Sequence, residues 1–176
     1  TIDVDYLLLM DAADELKNAD KLLKFAKRYQ AENEEVFLVN QHWWSGRVDN
    51  YYNTRFIKNG CAWRVVGPVH EQLSPHGELP HPITKIPKVL LYQNRTRQNA
   101  NSSARFARDK DLLVIEYEKD PTNARTLFYL SQTCECLGHF SDALFYAKKH
   151  IDSKDHFSEQ IFHTLLRCGD VCQKLG

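Results

Sequence analysis

No apolar run in this 176-residue chain approaches the ~20 residues needed to cross a bilayer. No charged leader with a short apolar core opens it either. A surplus of one charge is also missing, because 23 Lys and Arg balance 23 Asp and Glu. Zero net charge argues against a surface built for nucleic-acid phosphates or anionic lipid. Cysteine is sparse and odd in number, and five thiols read as reduced groups rather than a disulfide framework. These absences give the expectation of a cytoplasmic chain with no nucleic-acid partner and no membrane span. What is present is ordinary globular material, 43% hydrophobic and 26% charged, enough for one domain or two small ones. The chain starts at Thr1 and runs straight into a strand, which reads as part of something longer.

The most informative stretch is Asp5 to Glu15. Tyr6 to Met10 reads as a strand apolar on both faces, hence covered on each side in a sheet. Asp11 then falls at the carboxyl end of that strand, with Asp14 and Glu15 just beyond. Open α/β sheets place their ligand crevice along that edge. Carboxylates crowded there repel one another unless a cation or a donor compensates them. A hard divalent ion that also grips substrate phosphate is one solution. Acids that cap the next helix are the other, with Asp14 the residue for that role.

Further on, Leu22, Phe25, Ala26 and Tyr29 repeat at helical spacing after Asn18, a capping residue type. Glu35 to Val39 reads as a strand running into Gln41-His42-Trp43-Trp44, and Tyr51 to Ile57 as another, followed by the turn pair Asn59-Gly60. Pro75, Pro80, Pro82 and Pro87 mark residues 74 to 87 as loop, and Lys88 to Tyr92 closes the half as a strand. Asn94-Arg95-Thr96 and Asn101-Ser102-Ser103 fit the glycosylation sequon, a match common by chance.

From about Ser102 the periodicity becomes helical. Phe106, Leu112, Leu113 and Ile115 mark a first helix that Asp120-Pro121 ends. Leu127, Leu130, Ser131 and Cys134 before Gly138, with Ala143 and Leu144 after it, follow the tetratricopeptide pattern. Leu165, Cys168, Gly169 and Cys172 form a second copy, with an insertion around Ser153 to Phe157 between them. A generic antiparallel helix pair is the plainer reading. Cys134, Cys136, Cys168 and Cys172 lack the tight loop spacing of structural zinc. Cys134, Cys168 and Cys172 are therefore expected in the core of the repeats.

The acidic turn, then Tyr52-Asn53-x-Arg55-Phe56, then Trp63-x-x-x-Gly67-x-Val69-His70-Glu71, resembles family-2 glycosyltransferases of the GT-A fold. The branch with tetratricopeptide-type helices after the catalytic domain is the nearest resemblance. Tyr92-Gln93-Asn94-Arg95-Thr96 with Arg105-Phe106-x-Arg108-Asp109 looks like its junction. The resemblance implies an α/β fold: the C-terminal part of a GT-A-like catalytic domain over 1–95, then an all-α tetratricopeptide-like region of four or five helices over 96–176. It also implies transfer of a sugar, with inversion, from a nucleotide-sugar donor to a hydroxyl of a glycan, protein or lipid acceptor. In that family an Asp-x-Asp turn holds Mn²⁺ or Mg²⁺ on the donor diphosphate. Here Asp11-Ala12-Ala13-Asp14 carries one residue more, Asn94 stands where Asp is commoner, and the nucleotide-binding strands that precede the turn are not in this chain.

The roles implied are Asp11, Asp14 and His70 on the metal, Arg55 and Trp63 on the donor, and Glu71 or Asp14 as the base. A metal neutralises the leaving diphosphate, and a carboxylate takes the acceptor's proton. Trp43, Trp44, Tyr51, Tyr52 and Trp63 offer faces for sugar rings, or pack the core. Arg55 holds phosphate or pairs with Glu71 or Asp11; Glu71 acts as base or pairs with Arg55 or Arg64. His70 and Glu71 are neighbours, so they face opposite ways in an extended segment unless the backbone turns after Gly67-Pro68. The competing function is a non-catalytic helical-repeat module, binding a protein partner, on a degenerate glycosyltransferase sheet.

Overall fold

The computed structural model describes residues 4–29, 34–43, 50–75, 83–93, 102–154 and 157–175. Trp44, Pro80, Pro82, the Asn94–Thr96 junction and Asn101 lie outside the described residues. The chain is mixed α/β and forms two compact units, Thr1–Val66 with Gln72–Asn99, and Gly67–Glu71 with Ala100–Gly176.

In the first unit, strands β1 (Tyr6–Leu8), β2 (Asp14–Lys17), β3 (Val36–Trp43), β4 (Asn50–Lys58) and β7 (Thr84–Gln93) form one sheet in the order β1-β4-β3-β7-β2. β3 and β7 run parallel, and the other neighbours are antiparallel. A ribbon of β5 (Trp63–Val66) and β6 (Gln72–Pro75) stands apart in the pairing. β1 and β2 are opposite edges, yet only residues 9–13 join them. A flat five-stranded sheet is about 19 Å across, and a short link containing a tight turn spans only about 17 Å. The sheet is accordingly curled. Helix α1 (Ala19–Tyr29) lays Leu22 and Phe25 on one face, over Phe37, Val39, Phe56, Ile86, Val89 and Leu91.

Several expectations are corrected. β1 is a half-buried edge strand rather than one covered on both faces. Asp14 and Glu15 start β2 instead of capping a helix, because their backbone pairs with Gln93 and Tyr92. Asn18 precedes α1 at φ 61°, its carbonyl accepting from the Lys21 and Leu22 N–H groups at the helix start while its side chain donates to the Lys88 carbonyl. Pro75 and Pro87 sit in strands β6 and β7. Pro87 has no N–H for a ladder, and the β3–β7 register slips there, from Leu38↔Lys85 to Asn40↔Leu90.

The second unit holds α2 (Ser102–Lys119), α3 (Ala124–Cys136), α4 (Phe140–Asp152) and α5 (Ser158–Leu175). Asn123 caps α3 by accepting from the Thr126 N–H at 3.0 Å. Gly138 ends it at φ 74°, with His139 N–H donating to the Cys134 carbonyl and Gly138 N–H to Glu135, a Schellman arrangement. Leu127, Leu130, Ser131 and Cys134 are all buried, and Ser131 Oγ donates to the Ala143 carbonyl at 3.0 Å, drawing α3 and α4 together. The second copy behaves otherwise. Leu165 and Cys172 are exposed, and α5 buries Thr164 and Val171 instead. His150, fully buried on α4, bonds Thr164 Oγ1 at 2.9 Å and sets that face. Of the cysteines, Cys134 is buried while Cys136 and Cys172 are exposed. No helix among the described residues is long and apolar enough to cross a membrane.

Candidate functional site

β1, β3 and β7 all point the same way, so their carboxyl ends share one edge of the sheet. The acidic turn lies on that edge. Asp14 N–H donates to the Asp11 carbonyl and Asp11 N–H donates to Asp14 Oδ2, both at 2.9 Å, which closes residues 11–14 into a tight turn. The Asp14 side chain therefore shapes the loop that presents Asp11.

Asp11 meets Arg55. Phe37 pairs with Phe56 and Leu38 with Thr54, so Arg55 is the extra residue of a β-bulge. Bulges re-aim side chains, and this one sends Arg55 Nη2 to Asp11 Oδ2 at 3.2 Å. The Leu9 N–H fixes the Arg55 carbonyl at 2.7 Å. The Arg55 side chain is 18% exposed and its Nε is buried without a partner among the described residues, whereas the Asp11 side chain is 52% exposed. The crowded acids are thus compensated by a cation from the chain itself. Of the partners weighed for Arg55, the structure selects Asp11.

Trp63 opens β5 in the separate ribbon. His70 and Glu71 belong to the second unit. There Val69 is buried against Leu113 and Leu130. Gly67 stands at φ 93°, where a Cβ would come within 3.2 Å of the Val69 carbonyl oxygen. His70 itself is at φ 52°, so the backbone does turn between the two site candidates. Its ring stacks on Tyr129 at 4.2 Å with an interplanar angle of 8°, its carbonyl accepts from Arg125, and the Arg125 guanidinium lies 4.9 Å from the Tyr129 ring centroid. Burial of the ring lowers the imidazole pKa; Asp109 opposes this, and Arg125 and Arg105 reinforce it. Glu71 is exposed with no ion pair among the described residues.

No three His, Cys, Asp or Glu side chains are grouped as a metal site among the described residues. A magnesium-type ion asks less. One or two carboxylates suffice when substrate phosphates supply the other oxygens, and the half-exposed Asp11 fits that need. Two residues that the sequence pattern did not single out are buried nearby, Gln41 and Gln93. Their signal was an amide at each inward position where Phe37, Val39 and Leu91 lead one to expect an apolar residue. No protein-family model matches the chain, and no curated protein matches it.

Proposed function

We propose that the chain forms part of a glycosyltransferase that takes a nucleotide-sugar donor at the carboxyl edge of the curled sheet. The observation that carries this reading is the Asp11–Arg55 pair on that edge, with Arg55 Nη2 on Asp11 Oδ2 and both side chains in part exposed. A guanidinium aligned beside a carboxylate suits a diphosphate approached by a divalent ion. When bound, such an ion neutralises the leaving group. Arg55 binds phosphate oxygen, Asp11 faces the ion, and Asp14 positions Asp11 through its backbone N–H. Glu71, exposed and in the other unit, remains a candidate base on the motif alone.

Titration of the protein with nucleoside-diphosphate sugars, with and without Mn²⁺, tests this. Binding should strengthen with Mn²⁺ in the native chain, lose that dependence in Asp11→Asn, and weaken about tenfold or more in Arg55→Met. Failure of every donor, or Mn²⁺ dependence that survives Asp11→Asn, refutes the reading.

A second reading, a helical-repeat module of tetratricopeptide type that docks a protein, draws on α5. Phe162, Leu165 and Leu166 lie about one turn apart and are 65%, 53% and 55% exposed. A protein partner captured equally well by the Phe162→Glu variant would remove that reading.

A further inference from the structure

α5 repeats the pattern of α3 and leaves uncovered the face that α3 buries. Leu127, Leu130, Ser131, Cys134 and Leu137 recur at the same spacing as Leu165, Cys168, Gly169, Cys172 and Leu175. The backs of the two helices behave alike: Thr126 and Thr133 are buried on α3, and so are Thr164 and Val171 at the matching places on α5. The fronts do not. Ala124, Leu127, Phe128, Ser131 and Cys134 are all buried on α3. α4 contributes to that cover: its Ala143 carbonyl accepts from Ser131 Oγ at 3.0 Å, and its His150 ring lies 5.5 Å from Phe128. The counterparts on α5 are Phe162, Leu165, Leu166, Gly169 and Cys172. Phe162, Leu165 and Leu166 are each more than half exposed, Cys172 is exposed, and a Cβ on Gly169 would meet nothing within 4 Å.

Three features of that face say what covers it. Its members follow one another at three- and four-residue spacing, so they form one stripe along the helix, and none of them is charged. Gly169 lies within the stripe. Glycine is the poorest helix former after proline, and its use in mid-helix suits a place where another backbone approaches closely. The stripe also sorts its residues by size. Phe162, Leu165 and Leu166 are large and lie toward the amino end, while Gly169 and Cys172 are small and lie toward the carboxyl end. Laid antiparallel on a second α5, the large residues of each helix fall on the small residues of the other. One patch then supplies both the knobs and the holes, as a two-fold interface requires. α4 likewise brings small buried residues, Ala143 and Ala147, to its packing in the helical unit. The zero net charge of the chain sets no long-range repulsion between two copies.

We propose that two copies of this chain pair through α5, antiparallel and two-fold symmetric, with the helices crossing near Gly169. The inference rests on the helical-repeat reading, whose docked protein it names as a second copy of the chain. The pairing needs no nucleotide, metal or residue of the sheet. One helix from each copy makes a small interface, so the dimer is reversible, with a dissociation constant of micromolar order.

Sedimentation velocity on the full chain, free of metal and nucleotide and run from micromolar to millimolar concentration, tests this. A reversible shift from monomer to dimer is expected, with no larger species. Phe162→Glu should abolish the dimer across that range. Gly169→Gln should weaken it about tenfold or more, because the new side chain fills the crossing point. The same variant should not lower the thermal midpoint of the helical unit, since the space around Gly169 is open and glutamine is the better helix former. Leu23→Glu, at an exposed apolar residue of α1, should leave the dimer intact. A chain that stays monomeric throughout, a dimer that survives both α5 variants, a dimer lost equally in Leu23→Glu, or open-ended association overturns the proposal. A monomer that captures a different protein through Phe162 also overturns it, and leaves the helical-repeat reading standing. If neither self-association nor capture depends on Phe162, both fall.

Discussion

Replacing Phe37 with Ala should destabilise the sheet unit while leaving the stability of the helical unit unchanged. Phe37 is fully buried, and its ring centroid lies 5.1 Å from Phe25, 5.8 Å from Tyr29, 5.9 Å from Phe56 and 6.1 Å from Tyr6. Truncating a core Phe costs about 3–5 kcal/mol, and the loss of these edge-on and tilted ring contacts puts this site toward the upper end. A unit of this size has about 5–15 kcal/mol in total. Each kcal/mol moves its midpoint by about 4–8 °C, so a fall of about 15 °C or more is expected. The two core clusters share no residue: Phe37 belongs to one, while Val69, Leu113 and Leu130 form the other. The assay follows both units in one sample. Trp43, Trp44 and Trp63 all fall in the sequence range of the first unit, so tryptophan fluorescence reports the sheet. Far-UV ellipticity is dominated by α2–α5. Thermal scans of Phe37→Ala should drop the fluorescence midpoint alone, and Leu130→Ala should drop the ellipticity midpoint alone. A single transition that moves in both probes for either variant would refute the separation of cores.

The pH dependence of the helical unit should carry a signature of His70, whose imidazole pKa is lowered from 6.5 by burial. Above the ordinary value both folded and unfolded chains hold the ring neutral, so its contribution is fully present. As pH falls from about 7 toward 5, the unfolded chain takes a proton that the folded chain refuses, and stability declines. His70→Phe keeps a ring on Tyr129 without the titration and should flatten that part of the curve in denaturant melts; identical slopes in both proteins would count against the cause given. Thiol labelling should divide the cysteines. Burial pushes the Cys134 thiol up to about 11, and Cys172 is exposed, so mass-mapped alkylation of the folded protein should mark Cys172 well before Cys134. Equal rates would show that α3 opens far more readily than its packing implies.

The sequence was legible where one local signal decided the outcome. Leu22 and Phe25 at helical spacing found α1, and the switch of period near Ser102 found the helices. It misled where a partner strand overrode a local preference. Pro87 reads as a loop residue, yet β7 continues through it because β3 pairs on both sides and the ladder skips the residue that cannot donate. Lys88 takes φ 62° to make that skip, a cost no single-sequence rule assigns to lysine. Asp14 reads beside Asp11 as a second acid on one strand end. Its true partner, Gln93, lies 79 residues on, and no periodicity links them.

The acidic turn shows how such long-range pairing redirects a chemical reading. From the local string, Asp11, Asp14 and Glu15 formed a concentration of negative charge that called for an outside cation. The fold gives each acid its own partner: Glu15 is held by Lys17 at 2.6 Å, and the Asp14 carboxylate accepts from the Asp11 N–H at 2.9 Å. Asp11 is left with Arg55, delivered from 44 residues away by a one-residue bulge. What the edge presents is a half-exposed Asp11 carboxylate paired with a guanidinium whose side chain is 18% exposed. Such a pair suits an anion accompanied by a cation. The local string called for an outside cation to balance its acids; the fold supplies one from within, and the proposed donor diphosphate would meet a carboxylate and a guanidinium already set side by side.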